Sequence, residues 1–141
     1  IPHQMFNDMN DSWLEHHVIS MPVKDNGGDL LIRNWCSCTP LAGGSGAIRW
    51  HQLGQVGDGE AGSLQGMVLI DREALQPSGR TVERGSELEQ VYYVLENRGV
   101  ITVDGVEASF REGDMIHLPP AAEYTISNPH KKWVTYLIMA A

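Results

Sequence analysis

Only two cysteines occur in the 141 residues, and they sit together as Cys36-Ser37-Cys38. Two thiols one residue apart make a strained disulfide and a poor cross-link, so no disulfide framework holds this chain. They could give a metal two thiolates but not the four ligands of a structural site. The plain expectation is two half-buried thiols on one strand face. Positive charge is also scarce: ten Lys and Arg stand against eighteen Asp and Glu, for a net charge of −8. An acidic field repels a phosphate backbone, and Lys131-Lys132 is the only adjacent basic pair, so nucleic acid is not an expected partner. No apolar run has bilayer length, and no membrane partner is expected. The polar start IPHQMFNDMNDSW lacks the parts of a secretory signal, which sets the expected location as cytoplasmic. No window keeps a helical period, which argues against a helical bundle.

What is present is short strand-like runs punctuated by glycine and proline. They read as Asp29 to Trp35, Ala47 to Leu53, Leu64 to Leu75, Gln90 to Glu96, Val100 to Val103, Val106 to Phe110, Asp114 to Leu118, Tyr124 to Ser127 and Trp133 to Met139. These runs are rich in Val, Ile, Tyr and Thr, and several alternate apolar with polar. Asp104-Gly105 between ITV and VEASF is a type I′ hairpin signature, because both central residues need positive φ. Glu112-Gly113-Asp114 marks another tight reversal, and Gln55 to Gly62 reads as a polar loop. Asn10 to Met21 fits a helical turn or a strand equally. A chain of this length makes one domain, and regular strands at this spacing make a sandwich or barrel.

Residues 77 to 128 then carry a specific resemblance. In GVEASFREGDMIHLPPAAEYTISN, Gly113, Pro119 and Asn128 fall where the second cupin signature, G(X)5PXG(X)2H(X)3N, places them. Tyr124 stands at that signature's histidine. In the first signature, G(X)5HXH(X)3–4E(X)6G, Gln90 takes the glutamate position, and Arg84 and Ser86 take the two histidine positions. The chain therefore resembles the cupin superfamily with its metal-ligand histidines replaced. The resemblance implies an all-β fold, the cupin double-stranded β-helix or jelly-roll barrel. It assigns residues 65–141 to the barrel core and residues 1–64 to strands and loops that extend the barrel or a dimer interface.

Alternation sorts the side chains by face. With Gln90 inward, Tyr92 and Val94 share its face, and Val91, Tyr93 and Leu95 point outward. Arg84 and Ser86 come inward by the same count, unless a bulge slips the register and presents Glu83, Gly85 and Glu87 instead. A guanidinium cannot coordinate a metal, and placing a dication beside one costs several kcal/mol, about 4 at 4 Å and an effective dielectric near 20. The resemblance thus implies no metal and no cofactor. It implies a site in which Arg84 anchors an anion, Ser86, Gln90 and Tyr92 line the cavity, and Tyr124 supplies a proton. His117 is the first choice for a base if it faces the pocket rather than the other sheet surface, with His51 in reserve beside Arg49.

Three functional readings are compatible with this sequence. One is a metal-independent enzyme of isomerase, dehydratase, lyase or cyclase type, acting on an anionic or oxygen-rich small molecule. Another is a module that binds a small ligand without turning it over. The third is a divalent-metal cupin, lyase or dioxygenase, with ligands from His51, Glu83, Glu87, His117 and Tyr124. Outward-facing Val91, Tyr93 and Leu95 leave more apolar surface than one small barrel covers, so the expected assembly is a homodimer.

Overall fold

The computed structural model describes residues 11–13, 16–20 and 30–141. Among the described residues nine strands carry the architecture: β1 (Pro40–Gln55), β2 (Gly62–Leu64), β3 (Leu69–Thr81), β4 (Gln90–Glu96), β5 (Arg98–Val103), β6 (Val106–Arg111), β7 (Met115–Leu118), β8 (Tyr124–Ser127) and β9 (Val134–Ala140). They form one curled sheet in the order β6-β5-β8-β3-β9-β4-β7, with β1 paired to β3 and β2 paired to β1. Strand β3 makes the closure. Its first half pairs with β9 from Leu69↔Ala140 to Leu75↔Val134, while Arg80 at its far end pairs with Ser127 of β8. One long strand thus serves both walls of a jelly-roll barrel, which leaves few open edges.

The alternation read from the sequence sets the core. On β4, Tyr92 and Val94 are fully buried, while Val91, Tyr93 and Leu95 lie half-buried on the outer face. Tyr92 lies in register with Ile138 of β9, and Val94 with Tyr136. These residues join Leu75, Ile101, Phe110, Leu118, Tyr124, Ile126 and Val134 in one cluster. Each large apolar side chain in the cluster contributes roughly 1.5–3 kcal/mol by its burial. At the β5–β6 hairpin, Asp104 and Gly105 have φ of 48° and 81°, as a type I′ turn requires.

Four local expectations are corrected. Residues 30–34 form no strand, and Trp35–Ser37 is a single 3-10 turn; Asp29 lies outside the described residues. The Asn34 side chain accepts a hydrogen bond from the Cys36 amide at 2.9 Å and so competes with strand pairing. The turn also separates the thiols: Cys38 is buried and Cys36 exposed, rather than both lining one strand face. The run Leu64 to Leu75 is broken at Gln65-Gly66, so Leu64 ends β2 and β3 starts at Leu69. The range Asn10 to Met21 is described only in part, and its described residues adopt neither a helix nor a strand.

Candidate active site

The inward alternation of β1 and β3 brings charges face to face inside the barrel. Arg49 of β1 lies in register with Glu73 of β3, and His51 with Asp71. Glu73 is fully buried, and its carboxylate is the hub. Arg84 closes on it bidentately, Nη1 to Oε1 at 2.9 Å and Nη2 to Oε2 at 2.7 Å. Arg49 Nε donates to Oε2 at 3.0 Å, and the Tyr136 hydroxyl donates to Oε1 at 2.5 Å. The second Arg84 amino group also donates to the Gly43 carbonyl at 3.0 Å. A Cβ at Gly43 would stand 2.7 Å from Glu73 Oε2, so any larger residue here would have to displace the carboxylate from its partners.

Burial opposes charge on Arg84, yet the hydrogen bonds and field of Glu73 outweigh it and hold the guanidinium protonated more firmly than in water. Burial pushes the Tyr136 phenol well up, and the adjacent Glu73 carboxylate pushes it further, so it stays a neutral donor.

Beside this hub lies a hydroxyl relay. Tyr124 donates to Gln90 Oε1 at 2.6 Å, and the Tyr92 and Tyr124 oxygens lie 2.7 Å apart. A phenol has one proton, so Tyr92 is the donor to Tyr124. Burial pushes the Tyr92 phenol well up, and the neighbouring Tyr124 adds to it. A backbone bridge, Arg84↔Tyr124, ties the two systems together.

The accessible edge belongs to His51. Its Nδ1 lies 2.6 Å from buried Asp71 Oδ1, and its Nε2 lies 2.8 Å from Asp58 Oδ2 on the β1–β2 loop. Burial opposes charge on the imidazole, but the hydrogen bonds to Asp71 and Asp58 outweigh it and raise its pKa. Burial also raises Asp71, against the pull of His51 and Arg49. The dyad therefore holds protons more tightly than its parts would in water. The side chain of His51 is 29% exposed and that of Arg49 26%, against 12% for Arg84 and none for Glu73.

Of the residues singled out in the sequence, Arg84, Gln90, Tyr92 and Tyr124 do converge inside the barrel. Arg84, however, has its fork filled by Glu73, so the anchor role read for it is corrected: its anion is a residue of this chain. Ser86 spends its hydroxyl locally, accepting from the Leu88 amide at 3.0 Å. His117 is corrected most sharply. It lies opposite Val91 on the outer face, more than half exposed, with Nε2 2.7 Å from Glu89. A base there cannot reach the barrel interior. Sequence reasoning missed Asp71, Glu73 and Tyr136, and gave Arg49 no role of its own. The available signal was charge at a period of two inside apolar strands, IRWH and IDREAL, which places charged groups on a buried face.

The cupin metal position is a poor fit for a metal here. Arg84, Ser86, Gln90 and Tyr124 offer one fixed cation and three weak neutral donors. Among the described residues no group of three His, Cys, Asp or Glu side chains is placed to hold an ion. The alternative ligand set is also dispersed, with Glu83 and Glu87 exposed and His117 on the outer face.

Comparison with known proteins agrees with this architecture. A family model for the cupin domain matches residues 72–140. An uncharacterized protein of Methanocaldococcus jannaschii is 34% identical over 58 residues, 40% of this chain; the match spans less than half, 46%, of that protein's length. A predicted oxalate decarboxylase from Thermotoga maritima superposes with a TM-score of 0.64 at 19% identity, over 78% of this chain and 97% of its own. The polyketide cyclase RemF from Streptomyces resistomycificus gives 0.65 at 15% identity, over 79% of each chain. At these identities the likeness is one of fold.

Proposed function

This chain carries a cupin domain over residues 72–140, and on that premise we propose a small-molecule enzyme that works by metal-independent acid/base chemistry. The reaction class is isomerase, dehydratase, lyase or cyclase, on an anionic or oxygen-rich organic substrate. The observation that carries this reading is the His51–Asp71 dyad at the partly open edge of a barrel whose centre is closed by Glu73 and Arg84. A buried carboxylate on Nδ1 fixes the imidazole's orientation and strengthens Nε2 as a base. The hydrogen bonds to Asp71 and Asp58 raise the imidazole's pKa above the ordinary histidine value, which makes it a stronger base.

In this proposal His51 removes a proton from carbon or oxygen of the substrate, once Asp58 yields Nε2. Asp71 positions the imidazole and stabilises its charged form. Arg49, partly exposed, oriented by Glu73 and with Nη1 3.6 Å from Asp71 Oδ2, offers the N–H groups not bonded to Glu73 to the substrate's anion or developing oxyanion. The Tyr92–Tyr124–Gln90 relay positions rather than reacts, because Tyr124 is 3% exposed and its proton is spent on Gln90. The oxalate decarboxylase and cyclase named among the structural neighbours share only the fold, so they leave the substrate open.

The test is proton exchange. The purified protein would be incubated in D2O with a panel of small keto acids, hydroxy acids and cyclic ketones, followed by proton NMR. Deuterium entry at an acidic C–H position, lost in His51→Ala and unchanged by chelator, is the expected result. Exchange that disappears with chelator and returns with a divalent metal would overturn the metal-independent reading. Saturable binding of panel members with no exchange in any of them would instead favour a non-catalytic ligand-binding cupin.

A further inference from the structure

Among the described residues, several cations that meet neither a carboxylate nor another side-chain partner lie close together. Among the described arginines, Arg49 and Arg84 meet carboxylates, Arg33 meets Cys38, Arg72 lies over Trp35 and Arg80 meets Thr125. Arg98, Arg111, Lys131 and Lys132 form no ion pair with a described residue. Arg98, Lys131 and Lys132 line a single cavity of about 450 Å³, with Asn97, Pro129 and His130. Arg111 lies directly opposite Arg98 across the β5–β6 ladder. Like charges so placed destabilise a sheet unless a counter-ion joins them. In a chain of net charge −8, this concentration runs against the overall field.

Both walls of the cavity are held by neutral hydrogen bonds, which leave the cations undiverted. Asn128 is 1% exposed and shapes the loop from below. Its amide nitrogen donates to the carbonyls of Leu75 and Gln76 at 3.1 Å each and of Lys132 at 2.7 Å, and its oxygen accepts from the His130 amide at 3.1 Å. Across the cavity, Asn97 sits at φ 62° and donates to the Trp133 carbonyl at 2.8 Å. The β4–β5 turn and the 129–132 loop are therefore pinned to each other, and their side chains project from a fixed frame. Glu96 and Glu112 neighbour Asn97 along the chain and across the turn, and neither closes on the cations.

We propose that this cavity binds a phosphoryl group carried on a small molecule, at a site separate from the His51 edge. One planar guanidinium and two ammonium groups more than offset the two charges of a phosphate dianion, and the Arg98 fork suits two of its oxygens. The cavity volume leaves room for an organic body of nucleoside size beside the phosphate.

The experiment is a two-probe NMR titration of 15N-labelled full chain at constant ionic strength, with inorganic phosphate in one arm and adenosine monophosphate in the other. Saturable amide shifts confined to Asn97, Arg98, His130, Lys131 and Lys132 are expected. The double variant Lys131→Ala/Lys132→Ala and, separately, Arg98→Gln should each weaken binding ten-fold or more. All three side chains are exposed, so a dispersed spectrum will confirm that the variants stay folded. Tighter binding of the monophosphate identifies a phosphate ester as the ligand; equal binding identifies free phosphate, and the phosphoryl assignment stands without the organic body. Shifts that fail to saturate, that sodium chloride reproduces, or that survive in both variants would overturn the site.

Discussion

Glu73 is the residue whose removal is most informative, because four hydrogen bonds end on its buried carboxylate. Replacing it with alanine leaves the Arg84 guanidinium in a largely buried position with only the Gly43 carbonyl, and leaves the Tyr136 hydroxyl without its acceptor. Breaking a buried ion pair from one side costs about 3–5 kcal/mol, a large share of a small domain's total of about 5–15. The orphaned phenol adds to that, within the range of about 1–3 kcal/mol for an unsatisfied buried group. Arg84→Ala should cost less, since Glu73 keeps Arg49 and Tyr136 as partners. The double variant Glu73→Ala/Arg84→Ala should fall short of the sum of the two single losses by about 1–3 kcal/mol, as contacting groups do. Urea denaturation followed by circular dichroism gives all three values. Glu73→Ala within 1 kcal/mol of wild type, or strict additivity in the cycle, would show that the pair does not hold the barrel as described.

Other consequences follow from the same contacts. Tyr124→Phe leaves the Gln90 oxygen and the Tyr92 hydroxyl each short of a partner, so we expect a loss of about 1–3 kcal/mol by urea melt, with packing otherwise kept. The folded-state pKa of His51 lies above its unfolded value, so the stability from its clasp is complete below the ordinary histidine pKa and is lost as pH rises through the folded value. His51→Gln should flatten that part of the wild-type profile of urea midpoint against pH; an unchanged slope would show that the histidine is not clasped between Asp71 and Asp58. Homodimerisation through the outer face of β4 is expected from half-buried Val91, Tyr93 and Leu95. Light scattering at micromolar concentration checks it, and a clean 15.6 kDa species would refute it. Tyr93→Glu should shift any dimer toward that mass.

Local chemistry settled the parts of this protein that depend on neighbours in the chain. Asp104-Gly105 makes its turn because both residues tolerate positive φ, and β4 turns Tyr92 and Val94 inward because side chains alternate along any strand. The spacing of Gly113, Pro119, Tyr124 and Asn128 was enough to point to the barrel, and with it to the convergence of Gln90, Tyr92 and Tyr124. Which charge meets which was decided elsewhere. Arg84 and Glu73 are eleven positions apart, Arg49 and Glu73 twenty-four, and Tyr136 and Glu73 sixty-three, so no local pattern pairs them. Parity alone left two faces open to His117, and only the register of β7 against β4 puts it outside, beside Glu89. The register of β1 against β3 likewise sets His51 on Asp71 at a partly exposed edge of the barrel, which is the arrangement behind its proposed role as base. Strand periodicity is a property of the backbone and is written in every short segment; the partner of a buried charge is a property of how distant strands align, which exists only once the sheet has closed.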